Sequence, residues 1–126
     1  MSLSIPIEAL PVLTHQQIPV MTTELIANLY EAEPYNIQQN FNNNQRRFVP
    51  GKHYFKVTGE DLRSFKQQFD SFEEYPDYID FIYVVKPSNH SPSLLLWTER
   101  GAARHAKMLG TDPAWDTLDH SLSTTL

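Results

Sequence analysis

The stretch Asn36–Arg47 reads NIQQNFNNNQRR, and its residue types suit the reading of nucleic-acid bases. Asn and Gln bond the adenine edge bidentately, and Arg bonds the guanine edge bidentately. Wound as a helix at about 100° per residue, the run buries Ile37 and Phe41 and turns Asn36, Gln39, Asn42, Asn43, Arg46 and Arg47 the other way. Asn36, Gln39, Asn42, Asn43 and Arg46 are the candidates for base edges. Arg47, with Lys52 and Lys56 after it, is placed to grip phosphates and fix register. A plainer reading fits the same residues. Asn is a mediocre helix former, so the run can be a capped turn or a short frayed helix, and a polar helix face is usually only solvated.

The elements that must hold this run are legible on either side. Leu10–Val20 reads as two short strands around a polar turn at His15-Gln16-Gln17, a hairpin in which Pro19 implies an edge position. Thr22 or Thr23 caps a helix to about Glu31, with Leu25, Ile26, Leu29 and Tyr30 on one apolar face and Glu24 complementing the helix dipole. Pro34 breaks that helix and starts the next, expected from Tyr35 to Arg47 with Ile37, Phe41, Asn44 and Phe48 on one side. Helix, short break, helix is helix-turn-helix order. Val49-Pro50-Gly51-Lys52 fits a type II turn. His53–Thr58 alternates as a half-buried strand, so the segment after the second helix is expected to act as a wing.

Thr58–Asp61 matches a capping box and opens a helix carrying Leu62, Phe65 and Phe69. Asp70–Pro76 reads as an acidic, aromatic loop. Tyr78–Lys86 and Ser93–Trp97 are expected as strands joined by a loop over 87–92. Thr98 caps a helix to about Leu109, ended by Gly110, and Asp112-Pro113 starts a last helix carrying Trp115, Leu118 and Leu122. The expectation is one α+β domain over residues 1–126: an N-terminal β-hairpin, a winged helix-turn-helix-like unit, then a strand pair and two C-terminal helices. The hairpin and helix-turn-helix-like part fall in 10–69, and the strand pair and helices in 78–126.

At 126 residues the chain can bury a core without metals or disulfides. It has no cysteine, hence no disulfide framework and no thiolate metal site, which suits a reducing cytosol. Met1–Leu13 lacks a basic region followed by a long apolar stretch, and the apolar runs Phe81–Val85 and Leu94–Trp97 are too short to span a bilayer. A cytoplasmic protein without a membrane partner is expected. The net charge of −5 argues against a generic nucleic-acid binder, but its distribution matters more than its sum. Residues 34–66 carry Arg46, Arg47, Lys52, Lys56, Arg63 and Lys66 against Glu60 and Asp61, while the segments on both sides are net acidic. This is either chance clustering or one surface made for phosphates or an acidic partner.

Enzyme readings find little support. Arg100 and His105 superficially fit an arginine-histidine ribonuclease pattern, but five residues turn a helix by about 140°, so the pair does not share a face. His15, His53, His90 and His120 have no metal-like spacing with neighbouring acids. Glu73, Glu74 and Asp77 read as a solvated acidic loop, and there is no Gly-rich phosphate loop. Asn89-His90-Ser91 is a sequon without a secretory context. No catalytic, metal or cofactor residue is assigned. In Ser93–Leu109, Gly101, Ala102, Ala103 and Ala106 give a small-residue face for close packing. Arg100, Arg104 and Lys107, at steps of four and three, could extend a basic surface.

Pro11–Val20, Thr22-Thr23, Asn40-Phe41-Asn42-Asn43-Asn44-Gln45-Arg46-Arg47-Phe48 and Gly51-Lys52-His53-Tyr54-Phe55 together resemble the ORF-6 N-terminal domain. That family is related to the KilA-N DNA-binding domain and is common at the start of phage and prophage antirepressors. Leu95–Leu109, with its Thr98-Glu99-Arg100-Gly101-Ala102, and Thr111-Asp112-Pro113-Ala114-Trp115 are similar to later runs of the same proteins, so the likeness covers about residues 10 to 116. The family usually continues with a longer apolar helix, whereas here the run is Ser121-Leu-Ser-Thr-Thr-Leu126. An oligomerising or effector segment beyond that point is expected to be absent or degenerate. The resemblance implies a transcription regulator that binds double-stranded DNA, or an antirepressor that binds a repressor protein directly. A homo-oligomer is compatible with both.

Overall fold

The computed structural model describes residues 9–87 and 91–109. It is a mixed α+β domain. Strands β1 (Leu13–His15) and β2 (Ile18–Thr22) form the expected hairpin, pairing Leu13 with Val20 and His15 with Ile18. Gln16 and Gln17 both have positive φ, 52° and 67°, the backbone of a two-residue turn whose twist matches that of the strands. Strands β3 (Tyr54–Thr58) and β4 (Ser93–Trp97) complete an antiparallel sheet in the order β1-β2-β4-β3. The expected wing is therefore not a free hairpin. β3 is an edge strand of the central sheet, and its partner β4 arrives from much later in the chain. β2 lies inside the sheet, yet Pro19 itself keeps the expected edge position. β4 pairs only with Met21 and Thr22 of β2, so Pro19 falls before that ladder begins, where a missing amide breaks no bond.

Alternation along the strands sends side chains into two cores. Leu94 and Leu96 of β4, with Phe55 and Val57 of β3, face a cluster containing Leu62, Phe65, Phe69, Phe81 and Val85. Leu95 and Trp97, with Tyr54, face a cluster containing Ile37, Phe48, Ala102 and Ala106. This is the period of two expected of a strand buried on both sides. The first face is covered by α3 (Gly59–Gln67) and α4 (Ile79–Val85). The second is covered by α2 (Pro34–Asn43) and α5 (Glu99–Leu109). Helix α1 (Thr23–Leu29) contributes Leu25 to one cluster and Ile26 and Ala27 to the other. Thr22 caps it, its Oγ1 accepting from the Leu25 N–H at 3.1 Å. The buried Tyr30 hydroxyl donates to the Ala102 carbonyl at 3.3 Å, tying α1 to α5.

The edge strand β1 is blunted by a side chain. Gln68 accepts from the Thr14 N–H at 2.9 Å and donates back to the Thr14 carbonyl at 2.7 Å, satisfying groups that would otherwise template pairing with another chain. Thr58 is the N-cap of α3, but its side chain makes no capping bond, so the motif marks the helix start without supplying the expected box.

Tyr78–Lys86 is not a strand. Pro76 opens a 3₁₀ turn over Pro76–Tyr78 that runs directly into α4. Phe81 and Val85, four residues apart, are fully buried, while Ile79 and Tyr83, also four apart, face out. The β-branched and aromatic composition favoured a strand, but so short an apolar run carries no decisive period. Packing of Phe81 against Phe69 and Phe72 decides for the helix. Gly110, the helix expected from Asp112-Pro113, His90 and His120 lie outside the described residues.

Candidate nucleic-acid interface

Helix α2 begins where Pro34 and a local bond set it. The Glu33 N–H donates to Asn36 Oδ1 at 2.9 Å, satisfying a backbone group that helix starts leave open. The acceptor of Asn36 is thus committed to the helix start. Ile37 is fully buried. Phe41 is half-buried and meets the rings of Phe48, Tyr54 and Trp97 edge-on, with centroids 5.6, 5.0 and 5.5 Å away. These two anchors fix the rotation of α2 and leave Gln39, Asn42 and Asn43 exposed. Asn42 accepts from Gln38 Nε2 at 3.2 Å on the open surface.

The helix stops at Asn43 rather than Arg47. Asn44 folds back, its Nδ2 donating to the Asn40 carbonyl at 2.9 Å, a local bond that competes with helix continuation. Gln45–Arg47 then form a 3₁₀ turn, with Arg46 and Arg47 both exposed. Asn42, Asn43, Arg46 and Arg47 line one open depression together with Asn44 and Gln45.

The next segment is locked to α5. The Lys52 N–H donates to the Val49 carbonyl at 3.1 Å, and Gly51 has φ 84°, as a type II turn requires. Thr98 Oγ1 donates to the Lys52 carbonyl at 2.7 Å, and the Thr98 N–H donates to the His53 carbonyl at 3.0 Å. The Gly101 N–H in turn donates to Thr98 Oγ1 at 3.2 Å, capping the helix as expected. A Cβ on Gly101 would overlap the His53 carbonyl oxygen. Only glycine at this position lets α5 lie flush on the turn.

Lys52 is exposed while His53 beside it is buried. The Val49 N–H donates to His53 Nδ1 at 2.8 Å, and Arg104 Nε lies 2.8 Å from Nε2. Burial holds His53 below its ordinary pKa, helped by the charges of Arg104, Lys52 and Arg100. Lys56 is elsewhere. It lines a separate depression with Glu24, Tyr35 and Gln38, so the phosphate candidates divide between two places.

Two features escape a linear reading. Tyr35, 68% exposed at the start of α2, carries no local signal beyond being aromatic. The Arg104–His53 contact joins residues far apart in sequence, and only the four-residue step from Arg100 to Arg104 hinted at a shared stripe. His105, on the same helix, is fully buried between Phe48 and Trp97, with ring centroids 4.8 and 4.4 Å away. Neither of its ring nitrogens has a hydrogen-bond partner, and burial pushes its pKa down to about 4. Arg100 is exposed, so the two do not share a face.

The sheet, its two helical layers and the exposed Asn-rich helix followed by a 3₁₀ turn with an arginine pair define a small mixed α+β domain with a polar, basic flank. The family model for the ORF6N domain matches residues 10–108, and the chain belongs to the ORF6N domain family. No curated protein and no solved structure gives a significant match. Among the described residues no helix is long and apolar enough to cross a membrane.

Proposed function

We propose that this ORF6N domain is a phage-type transcription regulator that reads double-stranded DNA with the outward face of α2, rather than an enzyme. The observation that carries this reading is the juxtaposition on one flank of exposed Gln39, Asn42 and Asn43 with exposed Arg46 and Arg47. The amides and Arg46 offer base-edge contacts, and Arg47 and Lys52 offer phosphate contacts. The test is fluorescence anisotropy with selected and scrambled duplexes at two salt concentrations, for wild type, Arg46→Ala and Lys52→Ala. Arg46→Ala is expected to cost roughly 1–3 kcal/mol on the selected duplex and to relax specificity at one base position. Lys52→Ala is expected to weaken all duplexes alike and lower the salt slope by about one unit. Equal binding by all three proteins, or none at low salt, would remove this reading.

A second reading is favoured by a different surface. Tyr75, Ile79 and Tyr83 are 55, 59 and 79% exposed, next in sequence to Glu74, Asp77 and Asp80. Apolar rings rimmed by acids suit a basic protein partner, such as the DNA-reading face of a repressor. In this reading the domain acts as an antirepressor. It predicts that the protein inhibits operator binding by a phage-type repressor without contacting the operator itself.

A further inference from the structure

The cations of α5 and of the turn over residues 49–52 converge although their segments are far apart in sequence. Thr98 binds the carbonyls of both Lys52 and His53, and Gly101 lets the helix rest against that backbone. Arg100 and Arg104, one helical turn apart, are thereby carried to the side of Lys52. No ion pair among the described residues engages any of the three.

The contact between Arg104 and His53 is chemically incomplete. A neutral imidazole has one lone pair and one N–H. Both of its nitrogens here face donors, the Val49 amide at Nδ1 and Arg104 Nε at Nε2. Only one of the two can be a hydrogen bond. The Val49 amide is held by its turn, whose carbonyl accepts from both Lys52 and His53 N–H groups at 3.1 and 2.9 Å, so it keeps the lone pair. The His53 proton then sits on Nε2 and faces the Arg104 Nε–H. Protonating His53 would not relieve this, because every charged group acting on the ring is a cation. An anionic oxygen that accepts from the guanidinium would.

We propose that Lys52, Arg100 and Arg104 form a clamp for a backbone phosphate of duplex DNA. This deepens and rests on the DNA-reading function above. It adds a phosphate contact on α5, beside the one expected at Lys52 and apart from the base-reading candidates on α2. Arginine suits the role because its planar donor fork matches phosphate oxygens.

The experiment compares salt slopes of duplex binding for wild type, Arg46→Ala, Arg100→Ala, Arg104→Ala and Arg63→Ala. Arg63 lies on α3, over the opposite face of the sheet, and is paired with Glu60. Each of Arg100→Ala and Arg104→Ala is expected to lower the slope by about one unit and to weaken selected and scrambled duplexes by the same factor. Arg63→Ala is expected to match wild type. Circular dichroism checks folding, and Arg100, being exposed, keeps the test valid if Arg104→Ala misfolds. Unchanged slopes in both α5 variants, with Arg46→Ala still weakened, would overturn the clamp and leave the DNA reading standing. No binding by wild type would overturn both. Inorganic phosphate binding that is lost in Arg100→Ala and Arg104→Ala, while duplex affinity and salt slope stay unchanged in both, would assign the site to a free anion and overturn the clamp as stated.

Discussion

The two faces of the sheet are built from the same strands yet present unlike surfaces. Over one face, α2, the 3₁₀ turn after it, the turn over residues 49–52 and α5 expose amides and cations: Asn42, Asn43, Arg46, Arg47, Lys52 and Arg100. Over the other, the segment from Asp70 to Asp80 exposes Asp70, Glu73, Glu74, Asp77 and Asp80 beside Tyr75 and Ile79. Residues 67–85 hold no Lys or Arg at all. The net charge of −5 therefore describes neither surface. A domain with one basic and one acidic face can steer a polyanion to the first and a basic protein to the second, and at low salt the far face opposes each approach. The difference also extends inward. The core under the acidic face is made of Phe, Leu and Val. The core under the basic face holds Trp97 and Tyr30 and is bordered by two buried histidines, His53 and His105.

The contact that holds the basic face together is the strongest place to break it. Gly101→Ala puts a methyl where the His53 carbonyl stands. Neither the helix backbone nor the turn can yield cheaply, so a loss of about 3 kcal/mol or more is expected. Arg100 and Arg104 should separate from Lys52 with it. Thermal melts read the first effect and duplex anisotropy the second. A melt like wild type would show that α5 does not lie flush on the turn.

Phe41→Ala removes the ring that α2 sets against Phe48, Tyr54 and Trp97. The expected loss is about 3 kcal/mol, the lower end for an aromatic truncation because Phe41 is only half-buried. Denaturant melts should show it, and the acidic face should keep its structure longer, as read by hydrogen exchange in α3 and α4. Equal protection of both layers would mean that the two faces unfold as one.

Acid separates the faces more gently. His105 is neutral in the folded chain, with its pKa lowered from 6.5 to about 4 by burial. The unfolded chain binds the proton more readily, so this contribution is fully present above pH 6.5 and is lost as pH falls toward 4. At pH of about 4.5 the loss should lie between about 2 and 3 kcal/mol. His53, also held below its ordinary value, acts in the same direction. His105→Phe, which keeps an aromatic ring between Phe48 and Trp97, should flatten the pH dependence of stability in this window. A slope unchanged by that substitution would mean that His105 does not titrate between the two states.

The smallest effects belong to the acidic face. Glu74→Gln and Asp77→Asn change exposed side chains and should alter stability by no more than about 0.5 kcal/mol. If a repressor docks there, they should slow its association at low salt while barely changing dissociation, because rim charges act mainly on the encounter rate. Binding kinetics against an immobilised phage-type repressor check this, and unchanged association would turn attention back to the basic face.

Local chemistry determined much of this protein. Pro34 started α2, Thr22 capped α1, Pro50-Gly51 made its turn, and the alternation in His53–Thr58 made a strand, because each effect acts within a few residues. The outward face of α2 was readable for the same reason: Ile37 and Phe41 set its rotation. Other features were decided only in the folded chain. Ile79–Val85 has a composition that suits either period, and packing against Phe69 and Phe72 made it a helix. β3 became an edge strand rather than a wing because its partner is β4, whose position no local pattern specifies. The helix end at Asn44 turned on one side-chain bond to the Asn40 carbonyl. Gly101 read as one more small residue until the His53 carbonyl was set against it. The meeting of Lys52, His53 and Arg104 is a contact between distant segments, and sequence spacing encodes distance only within an element.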